Sequence, residues 1–380
     1  MKLSLLAIAS VAGFFAFACS SPSPAPAVAS TLPDAGAAQI DAAPARSEAC
    51  VAMDVELQAA VERSKGAAPN ALLALKNETC GTSVYVAGSA DAVSSASLFR
   101  VGSITKTFVA AAIVSMVSEG ALGLDDPASK YLPGQKGIDG VTIRMLLNHT
   151  SGIPDYINED STLLRDPNVA RTPQELLDLG TSHPPNFAPG TSFRYSNTNY
   201  TALGMIAEVL GKAKLGAVLH ARAIDRAGLH ATFFDGEDTP SGDLAKGFDT
   251  AKKDVSFKWS PKNLWASGAV VASASDVAEW MFTLHGTDKI LDTSSKALLV
   301  APPLYQAPDG VTQYGLGTII LAPSATGGGG QGLGHGGDID GYHSMALYFP
   351  AKKTALVAFV NKDGQQPMPV LRAAFPIVFR

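Results

Sequence analysis

The chain has 380 residues, 46% of them hydrophobic and 17% charged, with a formal net charge of -5. That make-up supports a core large enough for one big domain or two lobes, and it excludes a chain disordered beyond its N-terminus. With no lysine- and arginine-rich cluster and no basic stripe interleaved with aromatics, it also excludes nucleic acid as a partner.

The first residues carry a positive start at Lys2, an apolar run from Leu3 to Phe17 and small residues before Cys19. This predicts a cleaved export signal over residues 1–18. Ala16-Phe17-Ala18 fits ordinary A-x-A processing. Cys19 at the same place resembles the lipid-modified cysteine of a bacterial lipobox, with Ala16 where leucine is usual. The three cysteines are Cys19, Cys50 and Cys80, and lipidation of Cys19 leaves an even pair. We therefore expect an exported envelope lipoprotein of the periplasm or outer membrane, touching the membrane only through its anchor. A Cys50–Cys80 disulfide would suit that oxidising compartment; two unpaired buried cysteines are the alternative.

Residues 19–46 are rich in proline, alanine and serine, without an aromatic residue or any periodicity, and read as a tether. Largely extended at about 3.1 Å per residue, it reaches roughly 80 Å. The folded part, residues 47–380, opens with CVAMDVELQAAVERSKG, a predicted amphipathic helix, followed by strand candidates ALLALKNET and TSVYVAGSAD. Between about 120 and 263, segments such as TPQELLDLGTS and NTNYTALGMIAEVLG predict an all-helical lobe. After the helix SASDVAEWMFTLHG the pattern returns to strands: YGLGTIILA, GYHSMALYFP and TALVAFVNKD, with AAFPIVFR closing the chain. Strands early and late with helices between predict an α+β fold, a sheet built from both chain ends with a helical lobe inserted. A cleft between lobes would be the place for chemistry.

Ser103 and Lys106 stand three apart at the mouth of an apolar helix, so they share a face and the amine can reach the hydroxyl. The positive potential of a helix N-terminus favours an oxyanion, and apolar neighbours such as Val109 and Ala110 lower a lysine pKa. A neutral amine beside a hydroxyl is a base beside a nucleophile. The bland reading is an N-cap serine and a solvated lysine.

Company comes from Tyr195-Ser196-Asn197, ahead of a predicted helix, and from His335-Gly336-Gly337, ahead of a strand. In this order and spacing the three motifs resemble those of the penicillin-recognising serine hydrolases, closest to the class C β-lactamases and their DD-peptidase and esterase relatives. Leu147-Asn148-His149-Thr150-Ser151-Gly152, LGLDDPASKYLPG and ASGAVVASASDVAEW extend the resemblance, which covers roughly 71–363. It implies that sheet flanked by helices. It also implies that Ser103 forms an acyl-enzyme, with Lys106 taking or steering the proton and Tyr195 sharing that role as phenolate or relay. Asn197 would bind the substrate amide or orient Lys106. The backbone N–H groups of Ser103 and Asp338 would form the oxyanion hole, and Gly336 and Gly337 would let substrate lie against the strand edge. Tyr156-Ile157-Asn158 also fits Y-x-N; Tyr195 is preferred, with Tyr156 placed at the cleft rim.

His335 departs from the lysine usual in the family's β-lactamases. Histidine is mostly neutral at pH 7, and the resemblance includes DD-peptidases and esterases with histidine at this place, so it implies those activities rather than efficient β-lactam hydrolysis. His149, His183, His220, His230, His285 and His343 are scattered without clustered carboxylates, so no metal is expected, and no other cofactor. The expected substrate is a small molecule or a peptidoglycan peptide. A carboxylesterase on the same scaffold and a non-catalytic penicillin-binding receptor or envelope scaffold are the alternatives.

Overall fold

Strand-forming segments from the two ends of the chain meet in one sheet. A computed structural model describes residues 46–380 apart from 89–92 and 160, so the expected export signal, Cys19 and residues 20–45 of the tether lie outside the described residues. In chain order the strands are β1 (Asn70–Asn77), β2 (Gly81–Gly88), β3 (Leu98–Arg100), β4 (Thr232–Phe234), β5 (Val270–Ser273), β6 (Tyr305–Gln306), β7 (Thr312–Tyr314), β8 (Ile319–Leu321), β9 (Gly332–Ile339), β10 (Tyr342–Phe349) and β11 (Thr354–Val360). The main sheet runs β2-β1-β11-β10-β9-β8-β7-β6, and a small one runs β3-β5-β4. β1 joins β11 antiparallel, Ala71 opposite Val360, which closes the sheet across almost the whole described chain.

Side chains alternate across a strand, and β1 uses both faces. Leu73 and Leu75 join Leu57, Val61, Val370 and Leu371 from the helices Glu48–Ser64 and Met368–Val378. Leu72 and Ala74 join Phe108, Trp280 and Met281 from the helices Thr105–Ser118 and Ala274–Gly286 on the other face. With both faces covered, β1 reads as a continuous apolar run. Cys50, in the first helix, is disulfide-bonded to Cys80 in the β1–β2 turn, with their Cα atoms 5.6 Å apart.

Two expectations are corrected. AAFPIVFR is not a closing strand: Val370, Leu371, Ala374 and Phe375 are the buried positions of Met368–Val378, a helical stripe whose first half lies upstream of that segment. The inserted lobe is mostly helical but not entirely so, because Thr232–Phe234 pairs with β5 as β4. A three-residue strand is too short to show alternation in sequence.

Candidate active site

Ser103 sits in a 3-10 turn, Gly102–Ile104, between β3 and the helix Thr105–Ser118. Two glycines let β9 approach this turn. Gly102 has φ +54°, and a Cβ there would lie 3.0 Å from the Asp338 backbone nitrogen; a Cβ on Gly337 would lie 1.9 Å from the Val101 carbonyl oxygen. The Asp338 N–H is thereby brought beside the Ser103 turn. Its own carboxylate is exposed and paired with His343 across β10.

Lys106 is completely buried, and Nζ lies 3.0 Å from Ser103 Oγ, 2.8 Å from Asn197 Oδ1 and 2.7 Å from the Ser267 carbonyl oxygen. Burial lowers its pKa to about 7, opposed by the charge of Asp155. A neutral amine has two N–H donors and one lone pair. The two carbonyl oxygens can only accept, so they take both N–H groups and leave the lone pair for the Ser103 O–H.

The orientation of Asn197 is fixed in the same way. Its Nδ2 lies 3.2 and 3.1 Å from the two Asp155 carboxylate oxygens, which accept when ionised, so Oδ1 must turn toward Lys106. Asp155, 3% exposed, also accepts from the Asn197 backbone N–H at 3.2 Å, and burial raises its pKa. The choice left open for Asn197 thus falls to orienting Lys106 in the free protein. Asp155 is not among the residues that the sequence marks; its partner is 42 positions away, and nothing local singles it out.

Tyr195 lies with its ring centroid 4.9 Å from Lys106 Nζ. Among the described residues its buried hydroxyl has no well-formed hydrogen bond. Burial holds its pKa well above 10, although the Ser103 hydroxyl is near enough to draw it down. Between a lysine near 7 and a phenol well above 10, the lysine loses its proton first, so the free protein favours the relay over the phenolate. Tyr156 is corrected: it is not at a cleft rim but fully buried, its hydroxyl donating to the Asn263 carbonyl at 2.6 Å beside Ser267 Oγ at 3.1 Å.

His335 is 3% exposed and has both ring nitrogens engaged. The Ser196 N–H donates to His149 Nδ1 at 3.2 Å, so His149 carries its proton on Nε2 and donates to Tyr314 Oη at 3.2 Å. Tyr314 in turn donates to His335 Nε2 at 2.9 Å, and His335 Nδ1–H donates to the Gly336 carbonyl at 2.6 Å. Burial, aided by Lys106, lowers the His335 pKa to about 3. The imidazole expected to meet substrate is therefore neutral and, in this structure, braces β9 at Gly336. Among the described residues no group of three or more His, Cys, Asp or Glu side chains could hold a metal ion.

A family model described as Beta-lactamase matches residues 72–375. The chain belongs to the beta-lactamase family. It is 25% identical over 301 residues to a penicillin-binding protein of Bacillus subtilis, covering 74% of this chain and 65% of that one. It is 30% identical over 225 residues to a beta-lactamase of Pseudomonas fluorescens, covering 58% and 59%. It thus spans less than two thirds of either relative. Among solved structures, a D-stereospecific amidohydrolase from Streptomyces is similar with a TM-score of 0.75 and 28% identity, over 85% of this chain and 98% of that one. A D-amino acid amidase from Ochrobactrum anthropi shares the fold, with a TM-score of 0.77 and 24% identity over 86% and 98%. In this family scaffold of serine hydrolases, the present geometry offers a hydroxyl, a buried amine 3.0 Å from it, a phenol ring beside that amine, and a strand N–H beside the serine turn.

Proposed function

We propose that the protein is an exported serine hydrolase that forms an acyl-enzyme at Ser103 and cleaves an amide, β-lactam or ester. The supporting observation is the Lys106 amine: buried, titrating near 7, its donors taken by two carbonyls and its lone pair left for Ser103 at 3.0 Å. Lys106 takes the Ser103 proton as Oγ attacks the carbonyl carbon. Tyr195 relays that proton to the leaving group, which leaves the Lys106 amine free; it later takes a proton from the water that frees the acyl group while passing its own to Lys106, which returns it to Ser103 Oγ. The N–H groups of Ser103 and Asp338 stabilise the oxyanion.

Within that reading, neutral His335 offers no permanent charge for a substrate carboxylate, which favours uncharged amides and esters over penicillins and D-alanyl-D-alanine peptides. The similarity to a D-stereospecific amidohydrolase points the same way. Export, with lipid anchoring at Cys19, is supported by the leader-like start and by the Cys50–Cys80 disulfide, which suits an oxidising compartment. The test is intact mass over time with a penicillin, a D-amino acid amide and a nitrophenyl ester, with Ser103→Ala as control. A Ser103-dependent adduct or turnover with any of them is expected. Equal behaviour of wild type and S103A across the panel would leave a non-catalytic scaffold instead.

A further inference from the structure

The helix Pro261–Gly268 is broken at Trp265, whose φ is 30° and ψ -125°. L side chains rarely adopt that conformation, because Cβ crowds the backbone at positive φ; glycine holds it freely. Lys212, Lys252 and Lys353 also have positive φ, but at exposed positions, whereas buried His149, in the site itself, shares the feature. Trp265 is 5% exposed, within a run from Asn263 to Gly268 that is buried throughout. A strained residue persists only where its surroundings over-determine it, and such residues cluster at functional sites.

Side-chain and backbone contacts hold Trp265 in place. Its Nε1–H donates to Glu237 Oε1 at 3.2 Å, and the other Glu237 oxygen accepts from the Gly216 N–H at 2.9 Å. Its carbonyl accepts from the Ala269 N–H at 2.9 Å. Its ring lies against Gly204, where a Cβ would be 2.9 Å from it. Gly204 belongs to the helix Asn197–Gly211, so the ring packs on the element that carries the other acceptor of the Lys106 amine.

The last carbonyls of a helix have no partner within it and are free to serve elsewhere. Here the Ser267 carbonyl, two residues beyond the break, accepts from Lys106 Nζ at 2.7 Å, while Ser267 Oγ donates to the Leu264 carbonyl at 2.6 Å. The next residue seats the segment on the nucleophile's turn: a Cβ on Gly268 would lie 3.8 Å from the Gly102 carbonyl carbon. The break at Trp265 sets the direction of the peptide planes that follow, and with it the aim of the Ser267 carbonyl.

We propose that Trp265 is a positioning residue: its strained backbone, pinned by Glu237 and by the Gly204 contact, aims the Ser267 carbonyl at the Lys106 amine. Its effect on Ser103 rests on the reading of Lys106 as the base. Without that acceptor, one N–H of the free amine loses its partner and the lone pair loses its fixed direction toward Ser103. A carbonyl acceptor also serves the ammonium more than the amine, so its loss should lower the Lys106 pKa.

The test compares Trp265→Ala with Trp265→Gly in the full chain. Both delete the ring, but only glycine holds the observed φ without strain. A further variant, Glu237→Ala, removes an exposed anchor and leaves the ring. The ionisable groups around Lys106, namely Asp155, Tyr195, Tyr200, His149 and His335, are the same in every variant. The Lys106 titration is followed by nuclear magnetic resonance of isotope-labelled lysine, and Ser103 acylation by intact mass with a nitrophenyl ester.

Trp265→Ala should titrate lower than wild type by about half a pH unit or more and acylate about tenfold slower. Glu237→Ala should move both the same way, the rate by about twofold. Trp265→Gly should recover the wild-type inflection and acylate at least about threefold faster than Trp265→Ala. Alanine and glycine variants that behave alike make Trp265 a packing residue and overturn the proposal. Should circular dichroism show the Trp265 variants unfolded, Glu237→Ala decides alone, and an inflection and rate equal to wild type overturn it. A wild-type Ser103 that reacts with no ester, amide or penicillin overturns the hydrolase reading, while the Lys106 titration still reports on the Ser267 carbonyl.

Discussion

Lys106 owes its basicity near neutral pH to burial, and its aim to acceptors that cannot donate. Asp155 works on both properties, since its charge favours the protonated amine while its oxygens orient Asn197. Removing that charge with Asp155→Asn should lower the Lys106 pKa, so the acid limb of the rate profile moves to lower pH. The plateau rate should fall by about tenfold as Asn197 loses its fixed orientation. A lower rate with an unmoved limb would leave Asp155 a packing residue only. Tyr195→Phe should cut turnover by about 10²–10⁴-fold, as loss of a proton relay does. Tyr156→Phe should leave turnover within a few fold and lower stability by about 1 kcal/mol, because Tyr156 serves the Asn263 carbonyl rather than substrate. Denaturant midpoints and turnover measured on both variants decide between the two tyrosines.

Among the structural elements, β9 carries the greatest constraint: it must approach the Ser103 turn closely enough to place the Asp338 N–H. Gly337→Ala puts a methyl group against the Val101 carbonyl, so the strand must withdraw. Turnover should fall by about 10²–10³-fold, the cost of an oxyanion donor. Circular dichroism should show the fold retained; unimpaired turnover would mean that β9 does not supply the donor. Ser103, Lys106, Tyr195 and Asn197 are singled out in sequence because short runs carry them and the runs, taken together in order and spacing, form a recognisable set; the structure brings Ser103 and Asn197 to the Lys106 amine. Tyr314 is not, since it bonds histidines 165 and 21 positions away on a strand of three residues. The C-terminal helix passes for a strand because the last eight residues hold less than two turns of its stripe, the helix ending at Val378.

Across the whole molecule, strands drawn from both chain ends leave closure of the sheet to the β1–β11 pairing, and the apolar runs at the two ends make that arrangement readable in the sequence. The inserted lobe is less readable, because β4 gains its identity only from β5 in another part of the chain. The Cys50–Cys80 link spans a sequence separation of 30 and ties the first helix to the β1–β2 turn. Replacing both cysteines by serine should lower stability by about 2–4 kcal/mol while leaving active-site chemistry unchanged. Chemical denaturation and ester turnover on the same sample check this, and a loss of turnover at full stability would contradict it.

The most direct measurement is the pH dependence of the Ser103 acylation rate, followed by intact mass with a nitrophenyl ester and Ser103→Ala as control. Lys106 is active as the free amine, so the rate should fall about tenfold per pH unit below 7 and level off above it. A single inflection near 7 that Asp155→Asn shifts downward supports Lys106 as the base. An inflection near 10, or a rate indifferent to pH from 5 to 9, would contradict it.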